Sequence, residues 1–374
     1  MRTRRQDKAV AEAEAAAATG TGTLKEQVSS AVASPASQSK DANNDAPNKT
    51  TTVTISKIEK PTVHRSETKS QSRLPTALQF PLVAVLSFVI SALGYSLSLP
   101  FTKGVLATHS RLLGTWAEVG AISFWRLFEL ALGWYGEYDG YDITALNLLA
   151  HGPPLYLLYA HYETPPYALL VTVVIETLAT YIPFRLLRPL ARVHANPTAL
   201  PNADIITDKP IALLTTLLAG TIYSVTLLFA YATYLPTYLV VYFANLPSIV
   251  RAHESTYIGL LPVTLALGFA ARVFIFTPAE ATGRTLADAE NEAFDPVKAN
   301  LRETVRWNLL GWSSQTKVAM KRTALVMFVT GVNTFLQTRL TIRGVETLGA
   351  AAWSSVWVFA AAVTGLALSA VGSV

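Results

Sequence analysis

Apolar blocks close to twenty residues long do most to limit what this chain can become. Residues 80–100 and 349–371 each form such a block and carry no charge at all. A helix of about 20 residues matches the ~30 Å hydrocarbon layer of a bilayer. Inside lipid, every backbone polar group must be satisfied within the segment or by a closed neighbour, which favours helices. Comparable blocks occur at 116–135, 143–160, 167–187, 211–235, 257–277 and 322–340. The expected fold class is therefore all-α, a polytopic transmembrane helix bundle of about eight spans over residues 76–374.

Composition supports this expectation: 51% of the 374 residues are hydrophobic, and mean hydropathy is +0.33. There is no cysteine, which excludes disulfides, thiolate metal sites and cysteine nucleophiles. The net charge of +5 is small for this length. It reads as asymmetry between loops rather than nucleic-acid affinity.

Residues 1–75 differ from the rest, being rich in Ala, Ser, Thr, Lys and Glu with almost no aromatics. Such a segment cannot bury enough apolar surface to offset its ordering entropy, and a disordered tail is expected. Arg2, Arg4, Arg5 and Lys8 are followed closely by Asp7, Glu12 and Glu14, which fits a solvated tail better than a targeting signal. Just before the first span, Lys57, Lys60, Arg65, Lys69 and Arg73 outnumber Glu59 and Glu67. The positive-inside bias then makes the N-terminus cytosolic, and this juxtamembrane segment is suited to contact with anionic lipid. Asn48 opens a glycosylation sequon that a cytosolic tail leaves unused.

The stretch 116–135 is framed by Trp116 and Trp134, an interfacial aromatic pattern, yet Arg126 lies near its midpoint with Glu118 and Glu129 on the same helix. A charge at that depth costs roughly 3 kcal/mol, so it should face protein or a wet cavity. Glu176 on a different span and His151 within 143–160 complete a candidate intramembrane polar network: Glu118, Arg126, Glu129, His151 and Glu176. At 100° per residue, Glu118, Glu129 and Arg126 share one stripe, and Arg126 and Glu129 are spaced to pair. This arrangement makes 116–135 the expected inner helix of the bundle. Two uses of the network are open, a proton or solute pathway and an ion-pair cluster that fixes helix register.

Other segments depart from simple spans. His151-Gly152-Pro153-Pro154 lies inside 143–160 and predicts a broken, re-entrant or strongly kinked helix. Residues 236–250 are short for a crossing, are interrupted by Pro247, and read as a re-entrant segment or half-helix. Asp295-Pro296 predicts the start of a helix over 295–315. Leu301, Val305, Leu309 and Trp312 recur there at helical spacing, an amphipathic pattern for a cytosolic or interfacial helix.

Topology contains one conflict. Arg185, Arg188, Arg192 and Lys209 place the loop after the fourth span in the cytosol, as Lys317, Lys321 and Arg322 do for a later loop. Four crossings from a cytosolic tail then put the acidic turn of Glu137, Asp139 and Asp142 on the same side. Asn333 and Gln337 in the penultimate span read as hydrogen-bonding glue between helices, and Gly365 and Ser369 as a close-contact pair.

No HExxH, closely spaced histidine cluster, GxSxG, P-loop or GxGxxG occurs. The acids of Gly136–Asp142 stand close enough for a divalent cation, although solvated acidic turns are common. No catalytic residue, cofactor or metal is expected. The leading expectation is a non-catalytic scaffold, assembly or organising protein of the endoplasmic reticulum or another endomembrane, with the bilayer and other membrane proteins as its partners. A secondary transporter or channel is the first alternative, and a lipid-modifying enzyme the second.

Overall fold

A computed structural model describes residues 75–372 apart from Lys103, Asn245 and Pro296. The chain divides into two units, Met1–Ser66 and Glu67–Val374, and the described residues all lie in the second. The expected tail and its basic juxtamembrane segment lie outside the described residues.

The described residues are helical, with only isolated bridges as β structure. We number the helices α1 (Thr76–Thr102), α2 (Trp116–Tyr135), α3 (Gly140–His161), α4 (Pro166–Leu187) and α5 (Lys209–Ala232). They are followed by α6 (Leu235–Tyr242), α7 (Tyr257–Ala271), α8 (Leu286–Glu292) and α9 (Leu301–Leu310). The last two are α10 (Ser314–Leu336) and α11 (Thr347–Gly372). A π turn at Arg272–Phe276 carries α7 on into Thr277–Thr282. Five of these helices are long and apolar enough to cross a membrane: α1, α4, α5, the extended α7 and α11. The other three long helices, α2, α3 and α10, carry more polar residues.

Two sets of loop contacts mark opposite ends of the bundle. At one end, the turn before α3, the loop after α4 and the start of α10 meet through Asp139, Asp142, His194 and Arg322. At the other end, Arg111 N–H donates to Thr341 O (2.7 Å) and Ala244 N–H to Gly344 O (2.8 Å). Gly344 has φ +79°, a conformation glycine adopts without Cβ strain, and its Cα faces the Ala244 carbonyl. The long helices run back and forth between these Asp139 and Gly344 ends.

The inner helix is α3, not α2. In α3, 14 of 22 residues are buried, against 5 of 20 in α2. α3 buries residues on every side, Asp142, Asn147 and His161 among them, whereas α2 presents Trp116, Phe124 and Tyr135 outward. α3 packs against α4, α7 and α10, and α5 lies along α7 and α11. Where α5 crosses α7, a Cβ on Gly268 would sit 2.5 Å from Gly220 N, so the two backbones touch only because both positions lack side chains.

Of the break, re-entry or strong kink expected in α3, the break does not occur, since the helix runs on through Pro153 and Pro154. Proline at those positions leaves the carbonyls of Leu149 and Ala150 without their helical donors. α10 supplies replacements. Thr330 Oγ1 donates to Leu149 O (3.3 Å) and Asn333 Nδ2 donates to Ala150 O (2.9 Å). Two polar side chains one turn apart on α10 thus meet two successive carbonyls on α3, and the helix is mended from outside.

Two further boundaries are set by local contacts. At 236–250, a half-length helix runs over Leu235–Tyr242, about 12 Å at 1.5 Å per residue. Phe243 then forms a bridge with Val345, which ends the helix. The amphipathic helix begins at Asn300, whose side chain and that of Glu303 form a capping box. Asp295 instead closes a tight turn, accepting from Val297 N and, through its carbonyl, from Ala299 N.

The outer surface of the long helices is apolar. Leu97, Phe124, Leu170, Phe229, Phe269, Phe328 and Leu366 are each about half to three-quarters exposed. Contiguous exposed apolar surface of this kind normally marks an interaction surface or a membrane.

Candidate functional site

Three of the five candidate residues come together. Arg126 on α2 reaches across to α4, where its Nη2 lies 3.2 Å from Glu176 Oε2 and donates to Thr180 Oγ1 (3.2 Å). Its Nη1 lies 3.8 Å from Glu129 Oε2 and 3.5 Å from Asn147 Oδ1 on α3. Tyr95 of α1 donates to Glu176 Oε1 (2.8 Å). Three helices therefore meet at one guanidinium and α1 joins through Glu176, and the three charged side chains are only 10–14% exposed. The adjoining cavity measures about 10 Å³, room for a single water.

Glu118 does not belong to this cluster. It lies in the first turn of α2, where it pairs with Arg111 and accepts from Gly114 N (2.9 Å). Its angular position on the stripe is right, but eight residues, or about 12 Å of rise, separate it from Arg126. His151 is a neighbour rather than a member. Its Nδ1 contacts Asn147 O (3.1 Å), and it interacts electrostatically with both Glu129 and Glu176.

Sequence reasoning missed Tyr95, Asn147 and Thr180 in this cluster. Thr180 was visible one turn from Glu176, but nothing in one sequence aligns Tyr95 or Asn147 with it. It also missed a second cluster at the Asp139 end. Asp139 caps α3, accepting from Tyr141 N (3.0 Å) and Asp142 N (2.9 Å). It also accepts from Ala191 N (2.9 Å) and bonds His194 Nδ1 (2.6 Å). Asp142 pairs bidentately with Arg322 of α10 at 2.8 and 3.1 Å. Arg188 donates to Trp134 O (2.6 Å) at the C-terminus of α2 and lies over the Trp134 ring. The signal was charge complementarity, because the acids of 136–142 and the arginines at 188 and 322 all flank apolar blocks.

Asp139, Asp142 and His194 offer atoms within 4.8 Å of one another, a spacing compatible with a cation. Those atoms are already engaged, however, and Arg322 places a positive charge against Asp142. The donor set describes an ion-pair lock between α3, the α4–α5 loop and α10.

Burial works against the ionised form of Asp139, but the His194 bond and the amides of Asp142 and Ala191 outweigh it and hold the carboxyl below its ordinary value. Burial also works against ionised Asp288, but hydrogen bonds from Thr285 and Ser314 together outweigh it and lower that carboxyl too. A depressed folded pKa gives stability that is complete above the unfolded value, about 4, and is lost as pH falls through the folded one. Thermal midpoints measured from pH 6 downward, on the order of one pH unit per step, should decline below about pH 4. Asp139→Asn should flatten part of that limb, with Asp288 contributing a separate part; an unchanged limb would refute the lock.

A third buried group joins the helices near the Gly344 end. His161, fully buried, bonds Tyr231 OH through Nε2 (3.0 Å) and Ser248 O through Nδ1 (3.3 Å). Trp353 Nε1 donates to Pro153 O (3.2 Å) beside it.

Residues 208–371 match the family described as Bouquet formation protein 3 C-terminal domain. The matched segment takes in α5, α7, α10 and nearly all of α11, including Arg322, Thr330, Asn333 and Trp353, but not the Arg126 cluster. Neither curated proteins nor solved structures give a match.

Proposed function

We propose that this chain is a non-catalytic membrane scaffold of the endoplasmic reticulum or another endomembrane, and that it serves bouquet formation by holding protein partners within the bilayer. In this reading α1, α2, α3, α4, α5, α7, α10 and α11 cross the membrane and residues 1–75 form a cytosolic tail. The Asp139 end is then cytosolic. Its acidic turn sits against Arg188, His194 and Arg322, which removes the charge conflict of the topology.

The observation that carries the scaffold reading is where the buried polar groups go. Arg126, Thr330, Asn333 and Trp353 each bond to another helix, and the cavity at the charges is about 10 Å³. Among the described residues nothing at that cluster supports a transport path. The similarity to a family named for bouquet formation favours a role in assembly.

The surface best suited to a membrane partner is the outer groove between α10 and α11, of about 740 Å³ near Met320 and Leu366 and 620 Å³ near Phe328 and Ala351. Small residues such as Gly331 and Ala362 keep its floor low, as helix-packing surfaces require. Photo-crosslinkers placed at Met320 and Phe328 in cells should capture a membrane protein, and one at Phe88 on α1 should not. Deletion of the gene should lower the amount of that protein and leave membrane lipids unchanged. Equal labelling from all three sites, or an altered lipid profile without a captured partner, would overturn the proposal.

A further inference from the structure

Helix α9 has no buried residue, and one of its faces is an apolar row with nothing against it. Leu301, Val305 and Leu309 are 82%, 48% and 66% exposed. At 100° per residue they fall within 80° of arc, and Arg302 and Arg306 follow directly beside them. Neither arginine has an ion-pair partner among the described residues; of the acids around α9, Asp295 pairs with Lys298, Glu292 with Arg284, and Glu303 serves the cap.

The roll of α9 is fixed from its opposite side. Trp307 stacks on Phe294 with ring centroids 5.1 Å apart, and its indole N–H donates to Asn291 O (2.9 Å). α8 is in turn tied to α10, because Asp288 accepts from Ser314 N (2.7 Å) as well as closing its own capping box. The apolar row is therefore held facing away from the protein. Only Gly311–Ser313 separate α9 from α10, and Trp312 lines the upper part of the outer groove with Met320, Leu366 and Ala370. The row thus continues into the exposed apolar surface of the bundle.

We infer that α9 is an in-plane membrane helix: Leu301, Val305 and Leu309 enter the bilayer at the Asp139 end, and Arg302 and Arg306 bind anionic lipid headgroups. The inference rests on the membrane reading above. Residues of this kind beside an apolar stripe sit at headgroup level when a helix lies along the interface. Each arginine near an anionic surface should raise the inserted-to-free ratio of α9 roughly fivefold.

The absence of cysteine makes the test direct, since a single introduced thiol is unique. Full-length protein carrying Leu301→Cys, Val305→Cys or Leu309→Cys is spin-labelled and reconstituted in phosphatidylcholine vesicles, with and without phosphatidylserine. Labels at all three sites should be accessible to oxygen and shielded from an aqueous nickel chelate, more so with phosphatidylserine. Arg302→Gln with Arg306→Gln should abolish the phosphatidylserine effect while leaving the fold intact. A label at Glu290 on α8 should stay water-accessible. Leu366→Cys serves as the control on α11: if it reaches water, the membrane reading itself fails. If Leu366 is lipid-embedded while 301, 305 and 309 remain in water, the α9 inference alone is wrong. Shielding of the three sites in detergent without lipid would mean that protein covers the row, and would overturn it equally.

Discussion

Replacing Asn333 by leucine should lower stability by about 2–6 kcal/mol, at 1–3 kcal/mol for each buried group it orphans. Asn333 is fully buried, donates to Ala150 O (2.9 Å) and accepts from Trp125 Nε1 (3.1 Å). Leucine fills a similar volume, so the loss measures hydrogen bonding rather than a cavity. The cause can be isolated by repairing α3 itself. Pro154→Ala restores the N–H that an unbroken helix would offer to Ala150 O, and Trp125→Phe removes the other orphan. Added to Asn333→Leu, these two changes should return most of the lost stability in a thermal-shift assay. Strictly additive losses would mean that Asn333 does not act through those two groups.

Arg126→Met should lower stability by about 3–5 kcal/mol, because it strands carboxylates that share one guanidinium. Glu129 and Glu176 would remain ionisable and buried with no cation in contact. Neutralising them together with the arginine removes that penalty. A triple variant, Arg126→Met with Glu129→Gln and Glu176→Gln, should therefore be markedly more stable than Arg126→Met alone and close to the starting protein. Sedimentation in detergent and thermal midpoints of the single and triple variants check this. A triple variant no better than the single one would show that Arg126 contributes chiefly through shape.

The helical class and the positions of the long segments were legible because lipid-scale apolar blocks leave few alternatives. Which helix lies inside was not. Charges in 116–135 suggested an inner helix, yet one buried face suffices to hide Arg126 and Glu129, and the remaining faces of α2 are outward. The lack of charge in 143–160 was the better indicator, since a helix without a polar face can be surrounded by others. Pro153 and Pro154 signalled a break correctly in local terms. The rescue comes from Thr330 and Asn333, some 180 residues away, and only the packed bundle reveals it. The pairing of Arg126 with Glu129 followed from spacing along one helix, while that with Glu176 depended on how α2 and α4 approach. Glu118 was misplaced because a helical wheel records angle and ignores depth. Asp295 was a plausible helix start on residue type alone, but the chain uses Asn300, where a glutamate three residues on completes the cap.

The central claim is that the buried charges fix which helix faces meet and do not move a solute or proton. The stable triple variant Arg126→Met, Glu129→Gln, Glu176→Gln tests it most directly, by the capture of a membrane partner through a photo-crosslinker at Phe328. The expected result is partner capture at the level of the unmodified chain, with normal amounts of protein in the membrane. A triple variant that is folded, inserted and abundant but no longer captures the partner would contradict the claim and make the charges themselves functional.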